Sequence, residues 1–352
     1  MGDSAGIALS ENTSASAFKN IVGQTQAIAL LRRIVQLNRV APGYLFVGPE
    51  GTGKSLAATG FAQLLLDAGV DETGPDAGSD AGSDDSVLAR RIRDRNHPDL
   101  LWVEPTYLHQ GQLLTPSQAA EAGLKRKSPP RIRLPQIRDI ARFLSRPALE
   151  SPRAVVVIEQ AERMAEGAAN ALLKTLEEPG NATLILMAPD QQMLLPTLIS
   201  RCQSIPFQRL NSEQMAQVLG QTGHSEILQS AEVLAIAQGS PGHAIASWQQ
   251  LQALPPELLS QLAAPPTRLR EALDTAKAIT QTLDTEAQLW LLDYLQHRYW
   301  QHHSGQSSGQ SSGQSSGHNV DLSTLEQARK YLLSYVQPRL VWEVTLSGML
   351  AG

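Results

Sequence analysis

Apolar residues in the first part of this chain follow two alternating patterns: short unbroken runs, and longer segments in which they recur every three or four positions. The runs are Gly43-Tyr44-Leu45-Phe46-Val47, Leu100-Leu101-Trp102-Val103 (closed by Pro105), Ala154-Val155-Val156-Val157-Ile158, Thr183 to Ala188, and Ser204-Ile205-Pro206-Phe207. Each reads as a buried strand, and 154–158 is the most β-prone stretch in the chain. Helical spacing holds from Gln24 to Asn38, through Ala27, Ile28, Leu31, Ile34, Val35 and Leu37. It returns over Leu56 to Leu66, from Leu134 to about Leu149, and from Glu162 to about Glu178, where Pro179-Gly180 ends the segment. Strands that alternate with helices of this length predict parallel βαβ units, with a ligand at the carboxyl ends of the strands.

The pattern changes class near residue 208. Beyond it only helical spacing remains: Ser212 to Leu219, Ser225 to Gln238, Ala244 to Leu254, several segments between Pro256 and Trp300, and a last one from Leu322 to Leu350. The expected organisation is an α/β domain over 18–207 followed by helical segments. Three segments are too polar to build a core: the Ser/Ala/Gly-rich tail 1–17, the insert 67–86 with seven acids and no bases, and the stretch 304–318 carrying GQSSGQSSGQSSG. Thr106 to Pro130 has no clear period, so a solvated loop is expected there.

Composition narrows the function. A charged fraction of 18% and a net charge of −5 exclude a general polyanion binder, so any contact with DNA must be local. No apolar run reaches the ~18 residues needed to cross a bilayer, which predicts a cytoplasmic protein without a membrane partner. With Cys202 as the single cysteine, neither an intrachain disulfide nor a cysteine-based zinc site can form.

The candidate chemistry sits at the end of the first strand. Gly48-Pro49-Glu50-Gly51-Thr52-Gly53-Lys54-Ser55 satisfies G-x-x-x-x-G-K-[ST] at every fixed position, between a predicted strand and a predicted helix. The glycines let backbone N–H groups curl around a triphosphate, Lys54 brings a cation to the β- and γ-phosphates, and the Ser55 hydroxyl can ligate Mg²⁺. The partner element of such a site is a strand ending in two acids, one for the metal and one to polarise water. Here the pair is Glu159-Gln160: Glu159 retains a carboxylate for Mg²⁺, whereas Gln160 replaces a base with an amide that accepts no proton. Loss of a general base costs a factor of ~10²–10⁴ in rate. A glutamine can also orient water, so an active ATPase remains the alternative reading.

AANALLKTLEEP, from Ala168 to Pro179, together with Leu194 to Gln203, resembles the clamp-loader branch of the AAA+ ATPases. Within that branch the chain is similar to the delta-prime type rather than to the motor subunits. The motors' four-cysteine zinc module is replaced by the acidic insert, the first-sensor polar residue falls near Ala188, and the second-sensor arginine falls on Gly242, beside His243. The resemblance implies an αβα parallel-sheet nucleotide-binding domain over 18–207, a helical lid over 208–250 and a helical collar over 251–352. It also implies that Ser200-Arg201-Cys202 presents Arg201 as a finger to ATP on a neighbouring subunit, a contribution of ~10³–10⁵ in kcat. The implied partners are tau/gamma-type motor subunits and a delta subunit, with the sliding clamp and primed DNA reached through the complex. The implied ligand is ATP with Mg²⁺, bound but poorly hydrolysed. Polymerase activity would belong to the holoenzyme.

Other clusters carry less. Lys125, Arg126, Lys127, Arg131 and Arg133 could face DNA, although a charge run is more often simply solvated. His297, His302 and His303 lack metal-ligand spacing, and Trp290, Trp300 and Trp342 are expected in the core of the last domain.

Overall fold

The computed structural model describes residues 16–67, 87–124, 129–306, 322–334 and 336–350, with only the backbone for 300–306 and 322. The tail before Ser16, the acidic insert from Ala68, Lys125 to Lys127 and the Gly/Ser/Gln repeat from Ser307 lie outside the described residues.

The chain divides into two compact units, the first comprising 16–122 and 130–218 and the second 219–350 with the short segment around Gly123. In the first unit, helix α1 (Thr25–Gln36) precedes strand β1 (Gly43–Val47) and helix α2 (Lys54–Asp67). Helix α3 (Val87–Arg93), strand β2 (Leu100–Val103), a hairpin of β3 (Tyr107–His109) and β4 (Gln112–Leu114), and helices α4 (Pro116–Glu121) and α5 (Leu134–Leu144) follow. Strand β5 (Ala154–Ile158), helix α6 (Glu166–Glu177), strand β6 (Ala182–Ala188), helix α7 (Pro196–Ile199) and strand β7 (Gln203–Pro206) complete it.

The main sheet has five parallel strands in the order β2-β5-β6-β1-β7. Both faces are covered, and that is why the strands read as continuous apolar runs. Alternate residues of β5 serve opposite layers: Val155 and Val157 join Leu31, Ala58, Phe61 and Leu65 of α1 and α2, whereas Val156 and Ile158 join Ile137, Ile140, Leu172 and Leu176 of α5 and α6. This is an αβα arrangement around a parallel sheet, as expected from the sequence.

Several expected segments end elsewhere. The helix from Leu134 stops at Leu144, ahead of Arg146-Pro147. The segment from Glu162 opens as a separate tight turn, Ala161–Arg163, and its helix begins only at Glu166. The expected loop 106–130 instead carries the hairpin and α4. The hairpin turns through Gln110 and Gly111, both at positive φ (48° and 83°), as a two-residue turn requires. Helix α4 starts with Pro116 after a reciprocal cap between Thr115 and Gln118.

The second unit is all helical. Helix α8 (Ser212–Gln221) crosses its boundary, and α9 (Ala231–Ala237), α10 (Pro241–Ala253), α11 (Pro256–Gln261), α12 (Leu269–Thr282), α13 (Thr285–Gln306), α14 (Leu322–Leu333) and α15 (Pro338–Gly348) follow. The helix expected over 225–238 breaks at Ser230, which caps α9, and the one expected over 322–350 breaks before Pro338. Trp290 and Trp342 lie in this core, where Trp342 Nε1 donates to Gln288 Oε1 at 2.9 Å.

Candidate nucleotide site

The phosphate loop leaves the carboxyl end of β1 and feeds α2, flanked by β6 and β7. Gly48 holds φ at +155°, and a Cβ there would overlap the carbonyl of Phe207, so the close approach of the β7 exit to the loop requires glycine. Gly48 N–H donates to Ala188 O at 3.2 Å, which places Ala188, the expected first-sensor position, against the loop with only a methyl group to offer.

Lys54 is buried, 9% exposed, and its Nζ donates to the carbonyls of Gly48 and of Pro49, the latter at 2.7 Å. Burial pushes its pKa down to about 8, against the pull of Glu50 and Glu162. Thr52 Oγ1 closes the loop onto Pro49 O at 2.8 Å, and Ser55 stands exposed at the start of α2 with its Oγ 3.9 Å from Met187 Sδ.

Three participants were not evident from the sequence. Gln24 is buried; its Nε2 donates to Thr52 O (3.1 Å) and Gln208 O (2.7 Å), and its Oε1 accepts Gln208 N–H (3.0 Å), tying the loop to the segment after β7. It occupies the cap position of α1 without a capping bond, a place where Ser, Thr, Asp or Asn is favoured; that departure was the available signal. Glu162 lies on the turn after β5. Burial raises its pKa, with Glu50 adding to that rise and Lys54 opposing it, so it faces the same loop. Arg95 is the third.

Glu159 and Gln160 diverge. Gln160 adopts φ +47° and donates to Glu50 Oε1 at 3.0 Å, so it braces the phosphate loop. Glu159 turns toward β2: its Oε1 accepts Trp102 Nε1–H at 2.8 Å and Arg95 Nη2–H at 3.0 Å. The loop, Lys54 and Ser55 fit a triphosphate. Arg95 and Trp102 both engage the same oxygen of the Glu159 carboxylate, Oε1. Among the described residues there is no cluster of three metal-ligating acids, histidines or cysteines.

Arg201 lies elsewhere. It precedes β7, whose pairing with β1 (Tyr44↔Gln203) puts it beside Gly43, at the amino end of the sheet. The phosphate loop is at the other end, about 15 Å away along a strand. In the second unit, Gly242 and His243 open α10. Arg131 is exposed and bridges to Thr106.

A family model described as the DNA polymerase III delta subunit matches residues 23–211, more than half of the chain, and one described as the cyanobacterial DNA polymerase III delta prime C-terminal domain matches 213–349. The chain belongs to the DNA polymerase III delta-prime family. Among its delta-prime relatives, that of Bacillus subtilis is 33% identical over 190 residues, covering 53% of this chain and 48% of the relative. That of Pseudomonas aeruginosa is 34% identical over 207 residues, covering 57% and 54%. The chain thus spans about half the length of the delta-prime relatives it matches. A crystal structure of a DNA polymerase III gamma subunit-related protein from Thermotoga maritima superposes with a TM-score of 0.51 at 17% identity, covering 92% of this chain and 98% of that one, a likeness of fold. The phosphate loop, Glu159-Gln160 and Arg201 all fall within the first matched region. Among the described residues, no helix is long and apolar enough to cross a membrane.

Proposed function

We propose that this chain is the delta-prime-type subunit of a cytoplasmic clamp loader, which holds ATP in the 48–55 loop, cleaves it poorly, and lends Arg201 to a neighbouring motor subunit. Partners of the tau/gamma and delta types, the sliding clamp and primed DNA follow from that reading.

The observation that carries it is the position of Arg201. This side chain is exposed and stands at the opposite end of the sheet from its own phosphate loop, so it has no route to a nucleotide bound there, whereas a neighbour docked on that end is within its reach. Weak hydrolysis in cis is supported by Gln160, whose amide is bonded to Glu50 and takes no proton, and by Ala188, which offers no polar group. The test is reconstitution with motor and delta subunits. Arg201→Ala should depress the ATPase stimulated by clamp and primed DNA while leaving assembly on a sizing column unchanged; an undiminished rate removes the finger assignment.

The intact loop with Lys54 and Ser55 favours a second reading, an ATPase active on its own. Steady-state turnover by the isolated chain, compared with Gln160→Glu, separates the two: turnover at ordinary rates for the class would replace the first reading with the second.

A further inference from the structure

A cleft of about 510 Å³ opens in the helical unit among α10, α11 and α13. Trp248 and Leu251 of α10, Leu254 just after it and Leu259 of α11 give it apolar walls, and Tyr294 and Arg298 of α13 complete the lining. Its volume is that of pockets that take small organic ligands.

Arg298 brings to this cleft a charge that the protein leaves unmatched. Arg270, Arg329 and Arg339 of the same unit each face a carboxylate, whereas none among the described residues pairs with the half-buried Arg298. Its Nη1 donates to Tyr294 Oη at 2.8 Å, which leaves the phenol's own proton without an acceptor among the described residues. Arg298 Nε is buried and also lacks an acceptor there, as does Trp290 Nε1 two turns earlier on the same face of α13, whose ring stacks on Tyr294 with centroids 5.5 Å apart. Buried polar groups are nearly always partnered, and buried charges are paired. A guanidinium and a phenol that both have hydrogens to give, among apolar walls, match an oxygen anion. From Leu219 onward the chain holds eleven acids and seven bases, a balance that repels a polyanion such as DNA. What fits is a single negative charge on an apolar body.

We propose that this cleft binds a small organic monoanion, a carboxylate carried on an aromatic or branched aliphatic body. Arg298 and Tyr294 donate to the carboxylate, and Trp248 with the leucines packs against the body. The guanidinium keeps its charge throughout the working pH range, so the preference for an anion does not depend on its titration. Neither the 48–55 loop nor Arg201 takes part.

The experiment titrates the full chain with 2-naphthoate and with its neutral isostere 2-naphthamide, followed by saturation-transfer difference NMR. The wild type should bind the acid about tenfold or more tightly than the amide. Arg298→Met, which keeps an aliphatic stem without the charge, should bind the two alike within about threefold, whereas Arg298→Lys should keep a preference of about threefold or more. Trp248→Ala should weaken both probes by a similar factor of about threefold or more and leave the preference in place, which locates the site. Thermal melts establish that each variant is folded; if Arg298→Met is not, the wild-type ratio and Trp248→Ala still decide. Wild-type protein that binds acid and amide equally, or neither saturably, would overturn the proposal. So would a folded Arg298→Met that retains the preference, or a Trp248→Ala variant with unchanged affinities.

Discussion

Arg201 Nη2 lies 2.6 Å from Glu177 Oε1, and the same guanidinium donates to Thr197 O at 3.0 Å, so the end of α6 holds the arginine against the surface rather than leaving it to wander. The pair is open to solvent, with 36% and 50% of the two side chains exposed. An ion pair so exposed is worth at most about 1 kcal/mol, or roughly fivefold in any equilibrium it controls. Glu177→Gln should therefore shift the melting temperature of the isolated chain by no more than about 2 °C and the reconstituted ATPase by less than about fivefold. A collapse of activity as deep as that of Arg201→Ala would mean that Glu177 has a role of its own.

What the sequence discloses, and what it hides, follows from chain distance. The parallel strands are legible because burial on both faces makes them apolar throughout, and the phosphate loop because its geometry needs fixed residues at fixed spacing. The hairpin Tyr107–Leu114 is not legible by period: each strand has three residues, and the turn uses Gln-Gly rather than the commoner Asn-Gly. The diversion of Glu159 is settled by Arg95 and Trp102, which lie 64 and 57 positions away in sequence. Gln24 meets Gln208 across 184 positions. No local pattern encodes such pairings, so the sequence gives no sign that Arg95 and Trp102 meet at the Glu159 carboxylate.

Gly60 lies within α2, where replacing glycine by alanine ordinarily gains about 1 kcal/mol. Here the sign should reverse. An added Cβ would overlap the carbonyl oxygen of Ala17 and meet the Phe18 ring at 3.0 Å, and Phe18 is itself buried, with Arg32 5.8 Å from its centroid. Gly60→Ala should lose about 1–3 kcal/mol in urea denaturation, as an overpacked core does. A gain would show that the segment before α1 yields to the methyl group.

Lys54 gives the phosphate loop a signature in pH. Its folded pKa, about 8, lies below the ordinary 10.5, so between those values the unfolded chain binds a proton that the folded chain has released. Stability from this group is accordingly lowest below pH 8 and rises with pH up to 10.5. In Lys54→Met that contribution is absent, and subtracting the two proteins cancels the other titrations. From about pH 7.5 to about pH 9.5 the wild type should gain about 2 kcal/mol on the variant in urea denaturation. A constant difference would mean that the ammonium is solvated rather than buried.

Asp99 gives the opposite sign at the other end of the pH scale. Buried at the start of β2, it accepts the backbone N–H groups of Leu149, Glu150 and Ser151 at 2.7, 2.8 and 2.8 Å, pinning the segment that enters β5. Burial pushes its pKa up, but those three donors, with His97 nearby, outweigh it and hold the carboxyl below 3.8. A depressed carboxylate contributes stability that is complete above the unfolded value and is lost as pH falls through the folded one. Asp99→Asn exchanges an acceptor oxygen for an NH₂ that confronts N–H donors, so at neutral pH it should cost about 2–4 kcal/mol. As pH falls below 3.8 the wild type loses part of that advantage, and the gap between the two unfolding midpoints should narrow. Urea titrations of both proteins at neutral pH and in acid read this directly: a gap as wide in acid as at neutral pH would assign the loss to packing rather than to the ionised carboxylate.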